Sequence, residues 1–343
     1  MRRDIPDRLT RMARSCAEMG SPLYGALLES AVRDYRAGGA VAAVLDADAD
    51  RSRIGLRLMA ALHYLALSGD DELASHFPST DGDGDAAALW AVARNRFERD
   101  AETIEALMDR TLQTNEPARA TPLMAGYCWL SARFGLPMRT FEVGASAGLN
   151  LRWDAFAYDG GTWKYGGPSP LVLRNATRSG APSHLGERPA VVERRGCDLH
   201  PLDAASPVDA TELLSFVWPD QTERVERLRA ALVVAKDLPV TIDRADLLDW
   251  IPRATAPRDG TLTVVHESVV AEHLPRDTRR ALSQAIAEQG ARATASAPFA
   301  WLRMEPSDGT YVTELFTWPD RRGGGVTIAT SDGHAQGLAW TGA

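Results

Sequence analysis

Apolar residues recur at helical spacing through the N-terminal part of the chain. Leu23, Leu27 and Leu28 share one face of a predicted helix, and the leucine-rich residues 56–65 indicate a second, more buried helix. No alternating pattern of the kind that strands show competes with this spacing. The pattern therefore predicts that residues 1–135 form an all-helical N-terminal domain.

After residue 135 the pattern changes, because short apolar runs now alternate with amphipathic segments. The predicted strands lie at 140–143, 190–197, 240–242, 262–265 and 299–304, and the predicted helices at 222–234 and 276–289. This alternation is typical of an α/β sheet covered by helices. Residues 136–343 are thus predicted to form a Rossmann-like domain, with a Gly-, Trp- and Tyr-rich insertion at about 154–189.

The C-terminal segment predicts an antiparallel hairpin. Two strand-like runs, residues 311–316 and 326–330, flank the Gly-rich residues 321–325. A Gly-rich connection of this kind is typical of a tight turn between paired strands.

Small residues follow the first predicted strand of the α/β region. Gly144, Ser146 and Gly148 alternate along this turn, directly after Glu142. Glycine lets the backbone approach a ligand closely, because it has no Cβ and tolerates positive φ. We expect a helix to begin at Ala147, with its first N–H groups facing the bound molecule.

Acidic and polar residues indicate which ligand this turn would hold. Glu142 would repel a pyrophosphate, but its carboxylate can accept hydrogen bonds from an ammonium group or a ribose hydroxyl. Later predicted strands also end in polar residues, at Asp198, Asp246 and the pair His266 and Glu267. Since ligands of open α/β sheets bind at the carboxyl ends of strands, the pattern favours S-adenosylmethionine over a dinucleotide.

A second polar cluster, residues 113–116, precedes Pro117. Thr114 or Asn115 is predicted to cap a helix that begins at Glu116 and Pro117. A compatible interpretation is that Asn115 and Glu116 also project toward the turn at 144–148.

Charge and composition narrow the class of partner. The chain has 343 residues and a net charge of −8, which disfavours a general nucleic-acid binder and is compatible with a small-molecule substrate. The sequence contains no apolar run of bilayer-spanning length and no signal-peptide pattern. A cytoplasmic location is expected, and the oligomeric state is left open.

No metal site is predicted. Cys16, Cys128 and Cys197 lie far apart and form neither a paired-ligand spacing nor a disulfide framework. Residues 78–85 alternate Asp and Gly but lack the final glutamate of a calcium loop, so this segment is expected to be an exposed loop.

The order of strand–helix units followed by a hairpin resembles the class I S-adenosylmethionine-dependent methyltransferase fold, a seven-stranded relative of the Rossmann arrangement. The first motif of those enzymes has an acidic residue followed by three alternating glycines. Glu142, Gly144 and Gly148 match it, and Ser146 replaces the middle glycine. Serine is small enough for this position but would not suit a residue that needs positive φ.

The resemblance implies roles for residues at the strand ends. Asp198 would bind the ribose hydroxyls, although it follows Gly148 by 50 positions where ~20 are usual, an excess that the insertion accounts for. Asp246 would meet the adenine amino group. His266 and Glu267 would face the methyl-donor end as the catalytic residues, with Glu267 or His266 as the candidate general base. The residues expected to contact the cofactor are Glu142, Gly144, Ser146, Gly148, Asn150, Asp198, Asp246 and Asn115.

A closer resemblance covers most of the chain. The sequence is similar to a bacterial family catalogued as domain of unknown function 2332 through residues 21–24, 113–116 with Arg119, 142–150 with Trp153 and Asp154, 196–198, and 266–267. This resemblance implies a shared fold and leaves the reaction open.

Two other functions compete with the methyltransferase interpretation. Gly144, Ser146 and Gly148 have the spacing of a serine-hydrolase elbow, for which Asp246 and either His273 or His334 are the candidate partners. The chain could instead bind an adenosyl ligand without catalysis. The acids at successive strand ends favour an adenosyl ligand over the hydrolase.

Overall fold

The computed structural model describes residues 4–46, 52–320 and 325–342. The chain divides into two compact units, one formed by residues up to 114 together with 206–229, and the other by residues 115–205 together with those from 230 onward. The domain limits predicted from the sequence, 1–135 and 136–343, stay predictions.

The described helices are named in chain order. They are α1 (Ile5–Glu18), α2 (Pro22–Arg36), α3 (Ala40–Asp46), α4 (Ile54–Leu67), α5 (Asp71–Ala74), α6 (Ala86–Arg99), α7 (Ala101–Met108), α8 (Ala120–Phe134), α9 (Pro207–Ser215), α10 (Thr222–Asp237), α11 (Leu247–Ala254) and α12 (Arg276–Gly290). Among the described residues, no helix is both long enough and apolar enough to cross a bilayer.

The first unit is built from α1 to α7 and α9 around one apolar core. Leu23, Leu27 and Leu28 of α2 are buried in that core, as their spacing predicts. The helical N-terminal region is therefore confirmed. Asp100 separates α6 from α7.

Residues 78–85 are less exposed than predicted. A 3-10 turn covers Pro78–Thr80, and within it the buried Ser79 lies 2.7 Å from Nε2 of His63 through its Oγ. Asp85 ends the segment by accepting N–H groups of α6. The described residues contain no group of three or more His, Cys, Asp and Glu that could hold a metal ion.

The strands are also named in chain order. They are β1 (Met138–Val143), β2 (Ala157–Asp159), β3 (Lys164–Tyr165), β4 (Val172–Leu173), β5 (Thr177–Ser179), β6 (Val191–Asp198), β7 (Thr241–Arg244), β8 (Leu262–Ser268), β9 (Phe299–Ser307), β10 (Thr310–Trp318), β11 (Val326–Ser331) and β12 (Leu338–Trp340).

One large sheet organises the second unit. Its order is β5-β12-β11-β10-β9-β8-β1-β6-β7, and the block β7-β6-β1-β8-β9 is parallel. In order of appearance this block reads third, second, first, fourth and fifth, as in Rossmann-type sheets. The fold is therefore mixed α/β with a largely parallel sheet. The expected strand count of seven differs from the nine strands found within the described residues.

The predicted hairpin is confirmed, because β10 pairs antiparallel with β11. Residues 321–324 of its Gly-rich turn lie outside the described residues. The insertion forms a small three-stranded sheet of β2, β3 and β4, and its last strand, β5, pairs with β12 at the edge of the large sheet. These two edge strands raise the strand count above seven.

Helices cover both faces of the large sheet. On one face, Phe141 and Val265 pack with Trp250 of α11 and Leu282 of α12. On the other face α8 lies so close that a Cβ on Gly126 would be 2.6 Å from Leu302 of β9. Strands that are buried on both faces are rich in apolar residues. For this reason the sequence pattern predicts β1 and β8.

Candidate functional site

The candidate site lies at the carboxyl ends of β1 and β8. These neighbouring strands mark the point where the strand order reverses, which is where open α/β sheets bind ligands. Glu142 of β1 is in register with His266 of β8, so both side chains project from the same face. Their exposed fractions are 2% and 0%. The structure thus brings two of the predicted residues together.

His266 is held between two oxygen atoms. Its Nδ1 lies 2.7 Å from the hydroxyl of Tyr127, and its Nε2 lies 3.6 Å from Oε1 of Glu142. Tyr127 belongs to α8 and stacks on Trp153 with 4.2 Å between ring centroids. Burial raises the pKa of Tyr127, and the nearby carboxyls of Glu142 and Asp154 raise it further. Tyr127 therefore keeps its proton at neutral pH.

Four buried residues at this site have polar atoms that lack a hydrogen-bond partner. The unpaired atoms of the described residues include Oε2 of Glu142, Oγ of Ser146, Nδ2 and Oδ1 of Asn150, and Nε2 of His266, and others, such as Nε1 of Trp153 and Oε2 of Glu267, belong to residues outside this group. Most buried polar groups in proteins are hydrogen-bonded, and leaving one unpaired costs about 1–3 kcal/mol. We call Glu142, Ser146, Asn150 and His266 the polar cluster, and its unpaired atoms are suited to contact a polar ligand.

Asn150 is carried by a 3-10 turn, Asn150–Ala155, instead of the α-helix expected from Ala147. The turn packs beside α8, and its Trp153 is the residue that stacks on Tyr127. The turn is kinked at Arg152, whose φ of −99° and ψ of 16° are not helical, and Asn150 itself is fully buried. Without an α-helix, the turn has no helix dipole to hold a phosphate group.

The turn between β1 and Asn150 holds three residues at positive φ. These are Gly144 at 65°, Ser146 at 53° and Gly148 at 65°. The expectation that Ser146 would not suit positive φ is thus wrong. The N–H of Ser146 donates to Oδ2 of Asp198 over 2.8 Å, and this bond helps to hold the unusual conformation.

Packing explains the two glycines. A Cβ on Gly144 would lie 2.8 Å from Cγ2 of Val270, and a Cβ on Gly148 would lie 2.7 Å from Cδ1 of Ile242. Both distances are shorter than real Cβ contacts, so any side chain at these positions would force its neighbours to move.

Two further residues stabilise the turn. Oδ1 of Asn115 accepts the N–H of Leu149 over 3.0 Å. Arg152 donates to the carbonyls of Ala147 and Gly148 over 3.1 and 2.8 Å. Burial lowers the pKa of Arg152 to about 10, and the nearby Glu142 opposes this shift. The interpretation that Asn115 projects toward the turn is borne out by this geometry.

Glu116 performs the capping predicted for its neighbours. Its Oε1 accepts the N–H of Ala118, and it begins the 3-10 turn Pro117–Arg119 that leads into α8. The prediction that Thr114 or Asn115 would be the cap is therefore wrong.

Asp198 and Asp246 both accept backbone N–H groups. The second carboxylate oxygen of Asp198 accepts the N–H of His200 over 2.9 Å. Asp246 is exposed and caps α11 through the N–H of Leu248. Neither contact excludes a ligand, since each carboxylate oxygen has a further lone pair.

Glu267 has different surroundings from His266, because successive residues of a strand point to opposite faces. Glu267 is in register with Arg303 of β9 and is buried. Burial and the nearby Glu305 raise the pKa of Glu267, whereas Arg303 lowers it. Burial likewise raises the pKa of Glu305, although the N–H groups of Val270 and Ala271 that it accepts oppose the shift.

Sequence reasoning missed Tyr127 and Glu305. Tyr127 lies inside an apolar run of α8, where a tyrosine is indistinguishable from an ordinary core residue. Glu305 lies one residue beyond the predicted strand 299–304. Only the alternation of side chains along a strand indicates that His266 and Glu267 project to opposite faces of the sheet.

The serine-hydrolase constellation is not assembled. Within the described residues Oγ of Ser146 has no hydrogen-bond partner, so neither His273 nor His334 is bonded to it. His273 lies 3.6 Å from Glu272 instead.

The chain belongs to the bacterial family described as "Uncharacterized protein conserved in bacteria (DUF2332)", which matches residues 6–340. The resemblance to this family is therefore confirmed over nearly the whole sequence. No curated protein gives a significant match to the chain.

Proposed function

We propose that this chain is an S-adenosylmethionine-dependent methyltransferase-like protein that acts on a small molecule. The adenosyl ligand would bind at the carboxyl ends of β1 and β8. The observation that carries the proposal is the polar cluster, whose buried polar atoms lack partners among the described residues at the point where the strand order reverses.

The chemistry of the polar cluster suits this ligand. A nucleoside with an amino-acid side chain offers both donors and acceptors, and the cluster likewise combines a carboxylate, an amide, a hydroxyl and an imidazole. Glu142 disfavours a phosphate by its charge, and the 3-10 turn after Gly148 lacks the dipole that a pyrophosphate needs. Both features support S-adenosylmethionine over a dinucleotide.

The strand order of the large sheet also supports the proposal. The parallel block has the Rossmann-type order, and the β10–β11 pair follows it as a terminal hairpin would. In this proposal those seven strands form the methyltransferase-type sheet, and β5 and β12 are additions at its edge.

The proposed roles follow from position and chemistry. When bound, the cofactor would supply an electrophilic methyl group. The polar cluster, Asp198, Asp246 and Asn115 would hold and orient the ligand, directly or through the turn. Glu267 would take a proton from an acceptor that reaches its own face of the sheet, opposite the face of His266, since burial raises its pKa toward the range in which a carboxylate is an effective base.

Differential scanning fluorimetry tests the proposal. S-adenosylhomocysteine at saturating concentration is expected to raise the thermal midpoint of the purified protein, because a ligand that binds only the folded state stabilises it. NAD serves as the control ligand and is expected to leave the midpoint unchanged. An unchanged midpoint with S-adenosylhomocysteine, or an equal rise with NAD, would contradict the proposal.

One observation favours the serine hydrolase as a second candidate. Ser146 has φ of 53° on a sharp turn after a strand, as a strained nucleophile does. Labelling with a fluorophosphonate would test it, with Ser146→Ala as the variant. Ser79→Ala is the matched control, because Ser79 is equally buried and contacts His63. Labelling lost only in Ser146→Ala would favour the hydrolase, and no labelling favours the adenosyl site.

Binding of the adenosyl ligand without methyl transfer to any acceptor would instead indicate a non-catalytic binding protein. Incubation with labelled S-adenosylmethionine and a library of small acceptors separates these two outcomes, because only an enzyme transfers the label.

A further inference from the structure

The hydrogen bond between Tyr127 and His266 fixes which nitrogen of His266 carries the proton. The Tyr127 hydroxyl makes its one hydrogen bond, among the described residues, to Nδ1 of His266. If the Tyr127 oxygen accepted a hydrogen bond from Nδ1–H, its own buried O–H would have no acceptor, and in the neutral ring Nε2 would turn a lone pair toward the Glu142 carboxylate. If Tyr127 donates instead, Nε2 carries the hydrogen and faces that carboxylate favourably.

The Nε2–H of His266 and Glu142 are too far apart for a direct hydrogen bond. The distance of 3.6 Å from Nε2 to Oε1 exceeds the usual 2.7–3.2 Å range. A group that contacts both atoms must accept a hydrogen bond from Nε2–H and donate one to the carboxylate. A hydroxyl does both through one oxygen atom, whereas an ammonium group only donates and a carboxylate only accepts.

Within an adenosyl-amino-acid ligand, only the ribose hydroxyls combine both properties on a single atom. The ammonium and the adenine amino group donate, and the carboxylate and ring nitrogens accept. Asn150 adds a matching donor and acceptor, since both polar atoms of its fully buried amide lack partners in the described residues. A pair of neighbouring hydroxyls offers the donors and acceptors that the histidine, the glutamate and the amide each lack.

We propose that His266 and Glu142, positioned by Tyr127 and assisted by Asn150, bind the ribose hydroxyls of the ligand. This inference rests on the proposed function, because it assigns a chemical group to the same site. It differs from the expectation for the fold, in which Asp198 binds the ribose. Each carboxylate oxygen of Asp198 accepts one backbone N–H group, from Ser146 or His200, so in this proposal Asp198 holds the turn and its remaining lone pairs do not bind the ribose.

Nitrogen-15 spectroscopy of the seven histidines tests the tautomer without any ligand. The His266 signal, assigned through a His266→Gln variant, is expected to show hydrogen on Nε2. In Tyr127→Phe, Nδ1 no longer accepts a hydrogen bond from the tyrosine hydroxyl. The nitrogen-15 chemical shifts of His266 are therefore expected to move toward the average of the two tautomers. A wild-type signal with hydrogen on Nδ1 would overturn the inference whatever the protein binds.

Calorimetry with modified ligands tests the hydroxyl assignment. S-adenosylhomocysteine and its 2′-deoxy and 3′-deoxy analogues are titrated into the wild-type protein. At least one analogue is expected to bind about 10-fold more weakly, because it leaves a buried donor and acceptor unpaired. This deoxy penalty is expected to shrink in Glu142→Gln and in Tyr127→Phe.

Asp198→Asn is the contrasting variant. If Asp198 only holds the turn, this change weakens all three ligands by a similar factor and keeps the deoxy penalty. A penalty that disappears in Asp198→Asn and persists in Glu142→Gln would overturn the inference and assign the ribose to Asp198. If Glu142→Gln does not fold, the deoxy penalties of Tyr127→Phe and Asp198→Asn are compared instead. A penalty that shrinks only in Tyr127→Phe supports the inference, and one that shrinks only in Asp198→Asn overturns it.

The two proposals fail in different ways. Equal binding of all three ligands by the wild-type protein means that water alone fills the gap between His266 and Glu142, which overturns this inference and leaves the adenosyl site standing. Absence of binding by S-adenosylhomocysteine itself overturns the proposed function, and the ribose assignment with it.

Discussion

At the scale of single residues, Glu142 carries a charge that the surrounding protein leaves partly uncompensated. Its side chain is 2% exposed, one oxygen has no hydrogen-bond partner in the described residues, and the other lies 3.6 Å from His266. An ionised carboxylate that is buried with incomplete pairing carries a desolvation cost, which a neutral amide of similar shape largely avoids. Loss of the attraction to the nearby buried Arg152 offsets part of this gain. We expect Glu142→Gln to raise the free energy of unfolding by about 1 kcal/mol in the absence of ligand.

Urea denaturation measures this change, with Asp246→Asn as the control. Asp246 is an exposed helix cap, and asparagine caps a helix equally well. The control is therefore expected to leave stability unchanged. A loss of stability in Glu142→Gln would show that the protein itself already stabilises the carboxylate, so that no ligand is needed to pair with it.

Glu267 and Glu305 predict a dependence of stability on pH. Burial raises the pKa of both above the ordinary 4.5, so the folded protein holds protons that the unfolded chain has released. The stability that these protons contribute is fully present below pH 4.5 and is lost as pH rises through the raised pKa values. The contribution of these two carboxyls is expected to fall with rising pH over this window, whereas His63, whose pKa burial lowers to about 4, contributes the opposite sign below pH 6.5.

Denaturation between about pH 5 and pH 8 checks the sign and the source of the effect. The fall in stability is expected to be smaller in Glu267→Gln, which cannot ionise. Glu226→Gln changes an exposed glutamate, 69% of whose side chain is accessible, and is expected to keep the wild-type slope. An unchanged slope in Glu267→Gln would contradict the assignment.

At the scale of elements, the turn after β1 depends on its glycines for packing as well as for conformation. Gly144→Ala would place a Cβ at positive φ and 2.8 Å from Val270. Strain of both kinds is expected to lower the free energy of unfolding by about 2–4 kcal/mol. Gly186→Ala is the matched control, because Gly186 has open space around its Cβ position and no positive φ.

Thermal or urea unfolding of both glycine variants gives the comparison. The Gly186→Ala change is expected to lie within about 0.5 kcal/mol of wild type. Equal stabilities of the two variants would mean that the backbone of the turn relaxes freely.

Elements with a strong hydrophobic pattern were predictable from the sequence. The helices before residue 110 and the buried strands β1 and β8 were found because burial on one or two faces fixes which positions are apolar. The α-helix expected from Ala147 was not found. The small residues at 144–148 are typical of a turn that leads into a helix, whereas Arg152 satisfies the carbonyls of the turn and a 3-10 turn follows.

The candidate site was predictable only in part. Glu142, Asn150 and His266 follow from strand ends and small-residue spacing, and the structure gives each of them an unpartnered buried atom. Tyr127 comes from a helix distant in sequence, so no local pattern connects it to His266. The positive φ of Ser146 depends on its bond to Asp198, a contact between residues too far apart in sequence for local spacing to reveal.

At the scale of the whole molecule, the parallel block of five strands explains where a ligand would bind. The strand order places β1 beside β8, and both carry buried polar residues at their carboxyl ends. The edge strands β5 and β12 were beyond sequence reasoning, because strands of two or three residues carry too little pattern. The family match covers residues 6–340, and all residues of the candidate site lie within that range.

The most direct test of this account is a crystal structure of the protein grown with S-adenosylhomocysteine. We expect ligand density at the carboxyl ends of β1 and β8, with a ribose hydroxyl within hydrogen-bond distance of both His266 Nε2 and the Glu142 carboxylate. Density elsewhere on the molecule, or a polar cluster filled only by water at saturating ligand, would contradict it.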